Sequence, residues 1–305
     1  MPDSPPLTPG TPLRRSAPAK LNLGLHVLRR RPDGFHDIAS VFVPIGWADE
    51  VSASDAHDLS LTCSDPALPT DGGNLVMQAA SELRDRPSRL HGAALHLDKR
   101  VPYGAGLGSG SSDAAATLRL LDELWGLGSP DSMLAEIALG LGSDVPFFLL
   151  GAPALATGRG EVLTPITGTD VSASRPAGSA PWRCPFWLVV AVPPVHVPTG
   201  EAYALVTPND AARPDLVAAL VSNDLVRWRA ELTNDFQAPV EAAFAGIAEA
   251  RGALLDAGAG YASLSGSGSA VFGAFEREAD ARAAADGLRA TCRVWVEPPG
   301  RPGAV

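Results

Sequence analysis

The segment Pro102-Tyr103-Gly104-Ala105-Gly106-Leu107-Gly108-Ser109-Gly110-Ser111-Ser112 follows a strand-like run and leads into a helix-like one. Its residue types suit a phosphate. Glycine lets the backbone approach closely and take positive φ. The first turn of a helix offers unpaired N–H groups and a partial positive charge, and serine hydroxyls can donate hydrogen bonds. No lysine stands between the last glycine and Ser111, so this is not a GxxxxGK[ST] loop. Taken alone, the segment reads equally well as a glycine-rich turn capped by Ser112.

Other segments add chemistry, each with a plainer alternative. Asp144, in Gly142-Ser143-Asp144-Val145-Pro146, carries a carboxylate that could take a proton from a hydroxyl. Locally it reads as a helix start, with Pro146 in the first turn. Lys20 and Asn22 share one face of a strand, where they could reach a cleft or simply meet solvent. Phe35 and His36 follow the Asp33-Gly34 turn. Thr199 and Tyr203 lie where a loop feeds a helix. Ser265-Gly266-Ser267-Gly268-Ser269 precedes an apolar strand and reads locally as a flexible turn. The six histidines show no metal-ligand spacing.

Several elements must position these residues. From Lys20 to Leu28, Leu21, Leu23, Leu25 and Val27 alternate with Lys20, Asn22, Gly24 and His26, which predicts a strand. Arg29 to Gly34 predicts a turn and Ile38 to Ile45 a second strand. Ala93 to Val101 predicts a third. A helix should start after the glycine segment and end at Gly126 or Gly128. Another should be capped by Ser129, with Pro130 at its first position, and end near Gly140 or Gly142. Later runs alternate strand (186–192, 270–275, 294–296) and helix (241–257, 279–290), giving an α+β chain. Residues 1–13 read as a disordered tail, 14–163 as one lobe, 164–182 as a linker or insertion, and 183–305 as a second lobe.

Bulk composition narrows the function. The net charge is −10 over 305 residues. So acidic a chain is poorly suited to neutralising nucleic-acid phosphates or an anionic membrane. An anion would have to be held by local geometry. Cys63, Cys184 and Cys292 form no C-x-x-C pair, which argues against a disulfide framework or cysteine zinc site. No apolar run is long enough to span a bilayer. The expectation is a cytoplasmic protein.

In order along the chain, Pro18-Ala19-Lys20-Leu21-Asn22-Leu23, Arg31 to His36, Gly106 to Ala115, Gly142 to Phe148 and Leu264 to Gly268 closely resemble the GHMP kinase superfamily. The resemblance covers about Ala17 to Phe275. It implies a ribosomal-protein-S5-domain-2-like N-terminal lobe and a ferredoxin-like C-terminal lobe. It also implies ATP-dependent phosphorylation of a small alcohol, with Mg²⁺ held mainly by the ATP phosphates. Lys20-x-Asn22 and Asp33 to His36 point to the branch whose substrate is linked to cytidine diphosphate.

The resemblance further implies residue roles. Asp144 would be the catalytic base and Lys20 its charge partner. Asn22 and Thr199 would contact substrate. Phe35 and Tyr203 would sandwich the cytosine, and His36 would bond its edge. Asn74 would lie near adenine, and Pro102 to Ser112 would wrap the triphosphate. Phe35 stands where the family commonly has tyrosine; Ala105 and Ser109 stand where it commonly has glycine. Ala105 needs an ordinary φ, while Ser109 either adds a phosphate contact or crowds the loop. No metal-ligand set, nucleic acid or membrane is implied, and the chain would be a monomer or weak homodimer. Homoserine or mevalonate kinase activity is the nearest rival. A non-catalytic RNA-binding protein is the rival of another class.

Overall fold

The computed structural model describes residues 11–85, 92–168 and 180–300. The chain forms two compact units. The first takes Met1–Ala17, Ala48–Arg100 and Gly110–Leu149; the second takes Pro18–Trp47, Val101–Ser109 and Leu150–Val305. Two long strands, β1 (Leu13–Arg30) and β2 (His36–Ala56), contribute to both. Both outrun their sequence signals. Asp49 stands at an inward position of the alternation, between buried Trp47 and Val51, yet backbone pairing carries β2 on to Ala56.

In the first unit the far half of β2 pairs antiparallel with β4 (Gly92–Asp98), in register from Glu50↔Asp98 to Ala56↔Gly92. β3 (Leu59–Cys63) lies parallel to β4, and α1 (Leu75–Arg84) forms part of the connection between them. α2 (Ser109–Leu124) and α3 (Asp131–Leu141) follow. Ala114, Ala115, Leu118 and Leu121 of α2 bury against Val76, Ala79 and Leu83 of α1 and Leu95 and Leu97 of β4. The predicted start of α3 moves by one residue. Pro130 takes the cap position at φ −58°, ψ 144°, and Asp131 is the first helical residue. The short α4 (Val145–Leu150) comes directly after Asp144, as the local reading expected.

In the second unit β5 (Ala154–Gly158) pairs with the near half of β2 and with β6 (Val162–Pro165). A four-stranded antiparallel sheet has the order β10-β7-β9-β8, built from β7 (Trp187–Val192), β8 (Tyr261–Leu264), β9 (Val271–Phe275) and β10 (Arg293–Glu297). Leu188, Val190 and Val192 enter one apolar cluster while Val189 and Ala191 enter another. Burial on both faces explains why this strand is a continuous apolar run. The helices are α5 (Thr199–Leu205), α6 (Leu216–Val221), α7 (Leu225–Glu231), α8 (Gln237–Ala243), α9 (Ala245–Asp256) and α10 (Glu278–Leu288). The expected helix over 241–257 is thus two, broken at Phe244, whose φ −131° and ψ 87° are not helical. β3, α1, β5, β6, α6, α7 and β8 were not foreseen; all but the ten-residue α1 are seven residues or fewer and too short to show a period. Among the described residues no helix is long and apolar enough to cross a membrane. The expected tail falls outside the described residues up to residue 10, and the expected insertion does so over 169–179.

Candidate active site

Lys20 and Asn22 do not face solvent. They are 4% and 1% exposed, so this strand is buried on both faces. Lys20 Nζ donates to Asn22 Oδ1 at 2.5 Å and sits 4.8 Å from the centre of the Phe42 ring. Asn22 Nδ2 donates to Ser40 Oγ at 2.8 Å, and Ser40 Oγ donates to the Gly24 carbonyl at 2.7 Å. The asparagine is therefore locked with its oxygen toward the ammonium. A lysine enclosed this way is desolvated and costly unless it serves charge nearby.

The same network fixes the glycine segment. The Lys20 N–H donates to the Leu107 carbonyl at 2.9 Å. The Asn22 N–H donates to Ser265 Oγ, which donates to the Gly106 carbonyl at 3.0 Å. Gly106 has φ +79°, and a Cβ there would meet the Ser265 carbonyl oxygen at 2.1 Å, so only glycine fits. Between the glycines, Ala105 and Leu107 bury in the core of the second unit. Ala105 has no positive φ, as its side chain requires. The 265–269 turn is no flexible linker. Ser265 and Ser269 are buried, and the Gly268 N–H closes onto the Ser265 carbonyl. Sequence reasoning gave Ser265 no place in the site because its partners lie far away in the chain.

Ser109 is the first residue of α2, so the last four residues of the glycine segment are helical rather than loop. Ser109 is buried and not left-handed, so it does not crowd the loop by strain. At Gly110 a Cβ would meet only Leu75 Cδ1, at an ordinary 3.6 Å. Protein packing gives no reason for glycine there. Ser112 Oγ is buried without a hydrogen-bond partner among the described residues. A space that a Cβ would fill and an orphaned hydroxyl in one helical turn both fit an incoming phosphate. Nearby in this unit, Asn74 caps α1: Oδ1 accepts from the Val76 N–H at 3.0 Å and Nδ2 donates to the Pro69 carbonyl at 2.8 Å. Its amide is thus occupied in holding the turn before Leu75. Asp144 is half-buried immediately before α4.

A second feature of the second unit is a cleft of about 640 Å³. Phe35, His36, Thr199 and Tyr203 all line it, with Arg30 and Arg159. Thr199 and Tyr203 share a face of α5 at i, i+4 spacing. The His36 and Tyr203 rings stack at 4.7 Å and 19°. Tyr203 is braced edge-on by Phe236 at 4.8 Å. Phe35 is half exposed, and the Arg159 guanidinium covers its ring at 4.7 Å. Burial, helped by Arg30, holds the His36 imidazole below its ordinary value, so it is neutral at pH 7. A neutral imidazole offers one donor and one acceptor, as does the polar edge of a pyrimidine. Arg30 and Arg159 carried no motif and could not be placed here from sequence. Among the described residues no cluster of three or more His, Cys, Asp or Glu is set to hold a metal ion.

Residues 74–152 match the GHMP kinases N terminal domain and residues 216–294 the GHMP kinases C terminal domain. Over 279 residues the chain is 55% identical to the 4-diphosphocytidyl-2-C-methyl-D-erythritol kinase of Salinibacter ruber, covering 91% of this chain and 95% of that one. A crystal structure of 4-(cytidine 5'-diphospho)-2C-methyl-D-erythritol kinase superposes with a TM-score of 0.77 at 36% identity, covering 95% of this chain and 100% of the other. A homoserine kinase from Cytophaga hutchinsonii shares the fold at a TM-score of 0.69 but only 19% identity, over 95% of this chain and 96% of that one.

Proposed function

Because this chain belongs to the GHMP kinase family, we propose that it transfers the γ-phosphoryl group of ATP to the 2-hydroxyl of 4-diphosphocytidyl-2-C-methyl-D-erythritol. The observation that carries the substrate is the cleft shared by Phe35, His36, Thr199 and Tyr203. Flat rings and a neutral imidazole suit a pyrimidine base. Neither homoserine nor mevalonate has such a ring.

Phosphoryl transfer asks the protein for alignment and charge stabilisation. In this reading the first turn of α2 receives the triphosphate through its N–H groups and Ser112. Mg²⁺ would arrive on the ATP phosphates and neutralise charge there. Asp144 takes the proton from the 2-hydroxyl, and the desolvated Lys20 ammonium supplies positive charge at the reacting centre. Asn22, fixed by Ser40, keeps that ammonium in one place. The cytosine binds in the cleft, where His36 addresses its polar edge.

A substrate panel read by ADP release tests this. Turnover should require the cytidine-linked substrate. Turnover of homoserine or mevalonate without it would overturn the proposal.

A further inference from the structure

Lys99, just beyond β4, has no part in the chemistry above, yet it is enclosed. Its ammonium donates to Asp49 Oδ2 at 2.5 Å and Asp113 Oδ2 at 2.9 Å, and all three side chains are 4% exposed or less. Asp49 comes from β2 and also accepts from the Arg100 N–H. The Arg100 guanidinium turns away to Asp98. Asp113 is the fifth residue of α2, just past its first turn and next to Ser112. The charged groups bearing on it are Lys99 and Asp49.

One ammonium faces two carboxylates, so full ionisation leaves an unbalanced negative charge in a buried place. Such a charge is costly. Asp113 Oδ1 is buried without a hydrogen-bond partner among the described residues, which suits a protonated oxygen better than an anionic one. Burial pushes the Asp113 carboxyl up to about 7; Lys99 pulls it down and Asp49 pushes it up again.

We propose that Asp113, held by Lys99, is a positioning residue of the nucleotide site, and that its proton belongs to that site. When the proton leaves, a buried negative charge appears next to the turn that receives phosphate, and nucleotide binding weakens. This rests on the reading that α2 receives the ATP phosphates.

The test is ADP affinity by titration calorimetry with excess Mg²⁺ from pH 6 to 8.5, on the full chain and on Asp113→Asn. The amide keeps an acceptor for Lys99 but cannot ionise. Comparing the two proteins cancels the titration of ADP itself. Their dissociation constants should agree at pH 6 and diverge through pH 7. By pH 8.5 the wild type should bind about five- to tenfold more weakly, the size of one added charge several ångströms away. A ratio that stays flat with pH would refute the proton's role while leaving the phosphate reading intact. Wild-type protein that binds no ADP at any pH would refute the phosphate reading and this inference with it. Lys99→Met strands two buried carboxylates and is expected to lower Tm; Asp113→Asn carries the test if that variant does not fold.

Discussion

Gly110→Ala separates ligand geometry from protein packing. An added Cβ would touch only Leu75 Cδ1, at 3.6 Å, and the backbone there is not left-handed. Alanine in a helix is favoured over glycine by about 0.5–1 kcal/mol, so Tm should rise by about 1–3 °C. If phosphate approaches this turn through the space a Cβ would fill, the methyl holds it off. Losing one hydrogen bond to a charged group costs about 1.5–3 kcal/mol, or roughly 10- to 150-fold in affinity. Thermal unfolding and the Michaelis constant for ATP, read by ADP release, measure both sides. The expected result is a protein that is more stable and binds ATP at least tenfold more weakly, with the cytidine substrate unaffected. A stabilised variant with an ATP Michaelis constant within twofold of wild type would show that phosphate does not approach Gly110. Gly106→Ala is the control. Its Cβ would lie 2.1 Å from the Ser265 carbonyl oxygen at φ +79°, so it should lose more than about 2 kcal/mol of stability whatever its ligand.

Asp144→Asn should lower kcat by about 100-fold or more, the size expected of a positioned base, in steady-state assays; unchanged kcat would leave Asp144 as only the residue before α4. His36→Ala should raise the Michaelis constant for the cytidine substrate and leave that for ATP unchanged; an equal effect on both would contradict a role at the base. Because the His36 imidazole is held below its ordinary value, its neutral form should persist at pH 7, and substrate affinity should fall only as the medium is acidified below about pH 6.5. A Michaelis constant already rising between pH 8 and 7 would contradict this. Asn74→Ala should cost about 1 kcal/mol in urea unfolding by removing the α1 cap; no loss would mean that the Val76 and Pro69 hydrogen bonds contribute nothing net.

The residues most legible in the sequence were those whose type is costly where it stands. Leu21 to Val27 announce a strand by alternation. The order of Lys20, His36, the glycine segment and Asp144 carries the family resemblance. What stayed hidden is of two physical kinds. Some elements are short, such as β8 with four residues, and no period can emerge over that length. Other features are relations between distant residues. Ser265 lies 243 positions from Asn22, and nothing local distinguishes a serine that holds the strand of Asn22 from one in a linker. The buried face of Lys20 belongs to this second kind, because burial depends on what covers a strand and alternation reports only which residues share a side. The two glycines of the lead prediction make the same distinction within one segment. Gly106 and Gly110 look alike in the sequence, yet Ser265 accounts for one entirely while no neighbouring protein atom accounts for the other. A glycine unexplained by its own fold and sharing a turn with an orphaned hydroxyl, as Gly110 does with Ser112, is where a ligand should be sought, and that inference needs both the sequence and the packing around it.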